Sequence, residues 1–220
     1  AITEDGGFDV ALNTSVASVQ QSVAGVVVTT TDGDVVNAKR AVVTVPLNLL
    51  NSVSFDPPLS AAKQEASTLK HVGGGYKVFF EVEGDPGAVM TLSRSKDSSL
   101  IGSFTYKRGE QHSVLAGFSL EPGALDKSVD EWQNVLEEFL PGVKLLSTFG
   151  HDWGDDALSQ GSWCTYRPGT IARFANALPQ QEGHLVFASG DHAQAWRGFI
   201  EGAIASGSSA AVGIAKSLQG

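Results

Sequence analysis

The chain has 220 residues, 42% of them hydrophobic and 18% charged, with a net charge of −9. That is enough for one large globular domain or two small ones, and the acidic balance argues against nucleic acid or an anionic membrane surface as partner. No apolar run reaches the roughly 18 residues that a membrane span needs. The single cysteine, Cys164, excludes an internal disulfide and leaves the compartment open, and the five histidines show no metal-ligand spacing. The chain begins at Ala1 without Met, which points to a trimmed or processed polypeptide.

Residues 15–46 predict three strands, Ser15–Gln21, Val26–Thr31 and Ala41–Pro46. They are rich in valine and threonine, and Thr31-Asp32-Gly33-Asp34 supplies a turn. Phe55-Asp56-Pro57-Pro58-Leu59 breaks the pattern ahead of a helix over Ser60–Leu69. Gly73-Gly74-Gly75 ends that helix and opens a strand, Tyr76–Glu83. Three adjacent glycines read first as a flexible turn, because a phosphate cradle wants a helix after them, not a strand. Alternation sets Val78, Phe80 and Val82 on one face of the strand and Lys77, Phe79 and Glu81 on the other.

Further strands are expected over Ala88–Leu92, Leu100–Lys107 and Ser113–Ser119. Ser128 and Glu131 form a capping box. It opens a helix whose Trp132, Val135, Leu136, Phe139 and Leu140 make one apolar stripe, and Pro141-Gly142 ends it. Near the end of the chain, Leu185–Ala188 fits a short buried strand. A Gly190-Asp191 turn and an aromatic pair lead into a long helix. Its Gly202, Ala203, Ser206, Gly207 and Ala210 recur at three- and four-residue spacing. Small residues on one face let another backbone, or a flat ligand, come close.

The run F-A-S-G-D-H-A-x-x-W-R-G-F-I-E-G-A-I-x-S-G-x-x-A-A, from Phe187, resembles the C-terminal signature of the flavin-dependent amine oxidases. Their version reads F-A-G-[ED]-x-T/A, then W-x-G-[YF]-x-E-G-A-x-x-S-G. Ser189 replaces the family's Gly or Ala, a small exchange. Ala41-Val42-Val43-Thr44-Val45-Pro46-Leu47 and the Phe55–Leu59 run are similar to family segments as well. The resemblance covers nearly the whole chain but only the later half of a family member. The opening βαβ dinucleotide fold, with G-x-G-x-x-G and an acidic residue about twenty positions on, has no counterpart.

The resemblance implies an α+β fold with the N-terminal Rossmann βαβ unit absent. Residues 1–57 would be part of an FAD-binding domain, a three-stranded β-meander. Residues 58–149 would be an inserted antiparallel-sheet substrate domain, and 150–220 the return to the FAD-binding domain with its C-terminal strand and helix. A fragment, a processed subunit or a split enzyme follows, completed by an N-terminal chain or segment carrying the dinucleotide fold.

The same resemblance assigns a site. Lys77 corresponds to a lysine whose amine holds a water against flavin N5; burial would lower its pKa and suit it to oxygen reduction. Trp163 and Phe199 correspond to two rings flanking the substrate, whose faces attract a cation or orient an amine lone pair, and Tyr166 joins them as a substrate contact. Ser162 stands where monoamine oxidases carry the cysteine bonded to flavin, and Cys164 lies two residues later, so non-covalent FAD is implied. Gly190, Asp191, Trp196, Phe199, Ile200 and Ala203 would contact the cofactor. Asp191 would meet a ribityl hydroxyl, the helix amides of Phe199 and Ile200 the flavin pyrimidine edge, and the Val16 backbone the adenine.

The implied reaction takes a small amine to an imine and reduces O2 to H2O2, with no nucleic acid or membrane as partner. Arg167 and Arg173 could fork a carboxylate, which keeps an L-amino-acid oxidase open, and the Trp/Phe pair keeps a cyclic-amine oxidase open. A non-catalytic interaction domain that binds no FAD alone is the reading from another class.

Overall fold

The computed structural model describes residues 2–219 as a mixed α+β chain with three sheets. Two compact units form, one from Ala1–His71 with Cys164–Gly220, the other from Val72–Trp163. The sequence boundaries placed the inserted region over 58–149; the helix that follows residue 58 belongs to the first unit, where it packs on a 3-10 turn, Leu47–Ser52.

The first unit holds α1 (Ile2–Gly6), β1 (Val16–Ser22), β2 (Gly25–Thr30), β3 (Val35–Ala38), β4 (Ala41–Val43), β5 (Ser54–Asp56) and α2 (Ala61–Leu69). Its four-stranded sheet runs β3-β2-β1-β5. The third strand of the expected meander is therefore Val35–Ala38, not Ala41–Pro46. The turn decides this. Gly33, at φ +90°, lets the Thr30 amide reach the Asp34 carbonyl at 2.9 Å, and the hairpin closes at once, with Val35 opposite Thr29. β4 instead pairs in parallel with a strand from the far end of the chain, Phe187 opposite Val43. Val19, Val26, Leu47, Leu50, Leu59, Phe174 and Leu185 are buried together as this unit's core. Lys63 is buried beside it, its Nζ donating to the Gln180 carbonyl at 2.7 Å and to Glu182 Oε1 at 2.8 Å.

The second unit holds β6 (Tyr76–Glu83), β7 (Met90–Leu92), β8 (Gly102–Lys107), β9 (His112–Ser119), α3 (Val129–Phe139) and β10 (Leu145–Gly150). The antiparallel sheet has the order β10-β6-β9-β8-β7. The expected capping box is present: Ser128 Oγ accepts from the Glu131 amide at 3.3 Å, and Glu131 Oε2 from the Ser128 amide at 2.8 Å. Trp132 and Leu136 are buried with Val78, Phe80, Val82, Leu115 and Leu145. The Trp132 indole N–H donates to the Ala124 carbonyl at 3.0 Å, so the largest buried side chain leaves no polar atom unpaired.

That core uses one face of the sheet. On the other, register aligns Lys77 with Phe118, Phe118 with Gly102, Gly102 with Leu92, and Phe104 with Met90. Directly opposed residues of an antiparallel pair point to the same side. A lysine and a row of rings and aliphatic chains thus share the face that α3 does not cover.

After the second unit the chain adds α4 (Thr170–Phe174), β11 (Leu185–Phe187), the partner of β4, and α5 (Ile200–Gln219).

Candidate active site

The open face of the second unit is organised around Trp163, and the three glycines are the reason it can lie there. A Cβ on Gly75 would fall 1.8 Å from the Trp163 ring, and one on Gly73 would fall 1.6 Å from its carbonyl oxygen. The Ser162 amide and hydroxyl both donate to the Gly73 carbonyl, at 2.8 and 3.1 Å. The glycine run is therefore a bed for a side chain distant in sequence, not only a flexible turn, and Ser162 pins the loop onto it.

Trp163 packs against Phe118, ring centroids 5.8 Å apart, and Phe118 against Phe104 at 6.1 Å. Lys77, for which burial was expected, is instead exposed, because it stands on the face of β6 that α3 leaves uncovered, with Nζ 5.7 Å from the Phe118 ring centre. Beside these rings lies an open depression of about 290 Å³, lined among others by Met90, Leu92, Ile101, Phe104, Phe118 and Trp163. The hydroxyls of Thr91 and Ser103 also line it but lie 2.9 Å from each other, so they are mutually satisfied. The depression offers apolar surface to the body of a ligand, and Lys77 stands over the Phe118 ring beside it. Phe118 was not foreseen from the sequence; only its register opposite Lys77 reveals it.

The remaining expected residues belong to the first unit. Asp191 Oδ2 accepts from the Leu47 amide at 2.8 Å, which ties the end of β11 to the turn after β4. Gly190 accepts at its carbonyl from Gly198 N–H at 2.9 Å. Gly198, at φ +78°, presses against Cys164; a Cβ there would sit 2.7 Å from the Cys164 Cβ. The Cys164 thiol donates to the Tyr166 hydroxyl at 3.2 Å. Burial pushes this thiol up to about 12, and burial together with the Cys164 contact raises Tyr166 too. Both stay protonated at neutral pH, so Cys164 is a packing thiol and not a nucleophile. Tyr166 turns its ring edge toward His71, centroids 6.4 Å apart.

Trp196 holds a left-handed backbone, φ +51°, and Gly202 leaves room for its carbonyl, which lies 2.3 Å from where a Cβ would be. Of the two expected amide donors, Phe199 N–H is engaged by the Trp196 carbonyl at 3.0 Å. Ile200, the first residue of the helix, has an amide without an intrahelical acceptor. Ala203 continues the helix and donates to the Phe199 carbonyl at 3.1 Å. Val16 opens β1 beside a bulge. Arg173 is paired with Glu65 at 2.5 Å and Arg167 donates to the Leu69 carbonyl at 3.4 Å, so both guanidinium groups already have acceptors.

Residues 1–215 match the family of flavin containing amine oxidoreductases, and the chain belongs to that family. Pseudooxynicotine dehydrogenase of a Pseudomonas species is 38% identical, over 100% of this chain and 45% of its own. Nicotine dehydrogenase of Pseudomonas putida is 28% identical over 94% of this chain and 43% of its own. Among solved structures, putrescine oxidase bound to putrescine superposes with a TM-score of 0.84 at 22% identity, over 97% of this chain and 51% of that one. The chain thus spans about half the length, or less, of the relatives it matches.

Membership implies FAD, and the residues present fit it. Trp196, Phe199 and Ile200, at the start of α5, are 68%, 64% and 81% exposed. Three large apolar side chains left together in water form a ledge that a flat ring system would cover. A helix start beside it favours the negative charge of a reduced ring.

Proposed function

We propose that this chain is the substrate-binding and flavin-contacting portion of an FAD-dependent amine oxidase. Unit Val72–Trp163 takes the amine, and the unit of Ala1–His71 with Cys164–Gly220 contributes part of the FAD-binding domain. The observation that carries the reading is Lys77 above the Phe118 face, with Phe118 packed on a Trp163 that two glycines hold in place. FAD, when bound, supplies the two-electron acceptor that takes an amine to an imine, with O2 as terminal oxidant giving H2O2 and water hydrolysing the imine. The chain's own residues do the rest. Trp163 binds the amine body and orients its nitrogen, and Phe199 is a substrate contact contributed by the other unit. Lys77 orders a water and moves a proton. Gly190, Asp191, Trp196, Ile200, Ala203 and the Val16 backbone hold the cofactor. Tyr166 lines the substrate side as a neutral phenol.

The substrate this supports is an amine with an uncharged, largely apolar body. The depression beside Trp163 is lined mainly by apolar side chains, Met90, Leu92, Ile101, Phe104, Phe118 and Trp163, which supports an apolar substrate body. Non-covalent FAD is supported by the protonated, packed Cys164 and by a Ser162 hydroxyl already given to Gly73.

Visible absorption tests the reading. The chain, with any co-purifying polypeptide and added FAD, should turn yellow and release free FAD on acid denaturation. A protein that stays colourless overturns it in favour of a non-catalytic module. In an active assembly Lys77→Met should slow flavin reoxidation by at least tenfold while leaving the melting temperature unchanged, since the side chain is exposed. Unchanged rates remove Lys77 from the mechanism. A second reading, in which the electrons leave to an acceptor other than O2, is favoured by the names of two relatives, both dehydrogenases. Stopped-flow reoxidation in air separates the two: seconds or faster for an oxidase, minutes for a dehydrogenase.

A further inference from the structure

The turn after β4 holds two residues from distant parts of the chain. The Leu47 amide donates to Asp191 Oδ2. The next residue, Asn48, is buried and grips the His71 backbone twice: its Oδ1 accepts from the His71 amide at 2.8 Å, and its Nδ2 donates to the His71 carbonyl at 3.3 Å. Consecutive residues of one turn therefore fix both Asp191 and His71. The His71 side chain is buried as well, at 6% exposure, and its Nδ1 has no hydrogen-bond partner among the described residues. His192, the buried histidine next to Asp191 in the chain, differs, because its Nδ1 lies 2.7 Å from Ser189 Oγ.

A buried polar atom left unpaired is costly, and the surroundings of His71 narrow what would pair with it. Burial outweighs the pull of the Asp191 charge and holds the imidazole below its usual pKa, so the ring is neutral at neutral pH. A neutral ring offers Nδ1 as an acceptor in one tautomer and as a donor in the other, and a hydroxyl satisfies either. An anion would satisfy only the donor and would meet the repulsion of Asp191. A cation is disfavoured because the Arg197 guanidinium already donates to the Asp191 carbonyl. The setting adds a second clue. The Gly190 carbonyl accepts from the Gly198 amide at 2.9 Å, which binds the segment carrying Asp191 to the start of the exposed Phe199 and Ile200 ledge. A flat apolar ledge with a carboxylate and a neutral imidazole at its side fits a ring system that bears a hydroxylated chain.

We propose that His71 is a further binding residue for the cofactor, pairing through Nδ1 with one hydroxyl of the flavin's ribityl chain while Asp191 accepts from another. The inference rests on the FAD reading above and adds to it a residue that the signature around Phe187 does not contain. His71 takes no part in the transfer of electrons; it holds the chain that carries the ring. Asn48 acts through it, as the clamp that fixes the backbone from which the imidazole projects.

Riboflavin and lumiflavin test it, since they share the ring system and only riboflavin carries the hydroxylated chain. Each is titrated into the deflavinated assembly, this chain with any co-purifying polypeptide, and binding is read by flavin fluorescence. Riboflavin should bind more tightly than lumiflavin. His71→Phe, which keeps a ring against Tyr166 and removes both nitrogens, should cut that preference about tenfold, the worth of one hydrogen bond. His71→Asn sets a polar atom where Nδ1 stands and should retain most of the preference, whereas His71→Gln should not. In the unsubstituted protein the 15N resonance of His71 Nδ1 should shift on adding riboflavin and stay in place on adding lumiflavin. A preference unchanged by His71→Phe, an equal loss for both flavins, or a His71 resonance indifferent to riboflavin would overturn the proposal and leave the FAD reading standing. A resonance moved by a simple amine in place of riboflavin would do the same. An assembly that binds neither flavin and stays colourless with FAD would overturn that reading, and this inference with it.

Discussion

The five-stranded sheet of the second unit and the β4–β11 pair of the first differ in how much of themselves they cover. The former seals one face with α3 and a fully buried Trp132, and commits the opposite face to Lys77, Phe118 and Trp163. The latter has two strands, an α5 in which only Gly202 and Ala210 are buried among the described residues, and a buried His192 whose Nε2 has no partner. A sheet stabilised on one side can afford a shaped, largely apolar surface on the other. The strand pair buries Leu185 and Phe187 in the core of the first unit.

The sharpest way to probe the first unit is the ion pair of buried Lys63 with half-buried Glu182. Burial raises Glu182, but the hydrogen bonds from Lys63 and Ser60 outweigh it and hold the carboxyl below the usual carboxylate range. Burial also lowers Lys63, against the pull of Glu182. The two shifts point to different ledgers: the ammonium alone is worse off than in water, and the carboxylate side carries the stabilisation. A depressed carboxylate contributes above its unfolded pKa and loses that contribution as pH falls through the folded one. The melting temperature should therefore drop on acidification through the carboxylate range. Glu182→Gln, which removes the charge facing Lys63 but leaves it the Gln180 carbonyl, should cost about 2 kcal/mol at neutral pH and flatten that acid limb. An unaltered acid limb in the variant would show that the pair contributes nothing.

On the second unit, Gly75→Ala drives a methyl into the Trp163 ring. An overpacking cost of about 1–3 kcal/mol is expected, together with a shifted tryptophan emission and at least a tenfold loss of amine affinity in an active assembly. Retained affinity with normal emission would mean that Trp163 is not a wall of the site. The smallest effect is Ser128→Ala, which removes half of the α3 capping box. About 1 kcal/mol of stability should go, read by denaturant unfolding, with amine affinity untouched because α3 serves only the sealed face.

What local pattern encodes was legible. Alternation in Tyr76–Glu83 separated the core face from the Lys77 face, and Ser128 with Glu131 marked the start of α3. What distant pairing encodes was not. Val35–Ala38 is a short exposed edge strand without a compositional signal, and β10 is recognisable only beside β6, where Leu145 meets Val82. Gly73 and Gly75 look like slack until Trp163 is laid across them. Lys77, Trp163 and Phe199 came from resemblance to the family, whereas Phe118 and the Ser189–His192 contact came from geometry that no spacing announces. The last is instructive, since Ser189 read as a minor exchange of one small residue for another.

The bed beneath Trp163 has a consequence for redesign. Its ring and the two glycines under it are one fit, so the width of the binding depression is not set at position 163 alone. A library that randomises that residue while holding 73 and 75 fixed samples only shapes the present floor admits. Varying the three positions jointly opens bulkier floors with slimmer walls, and with them a different range of acceptable amines.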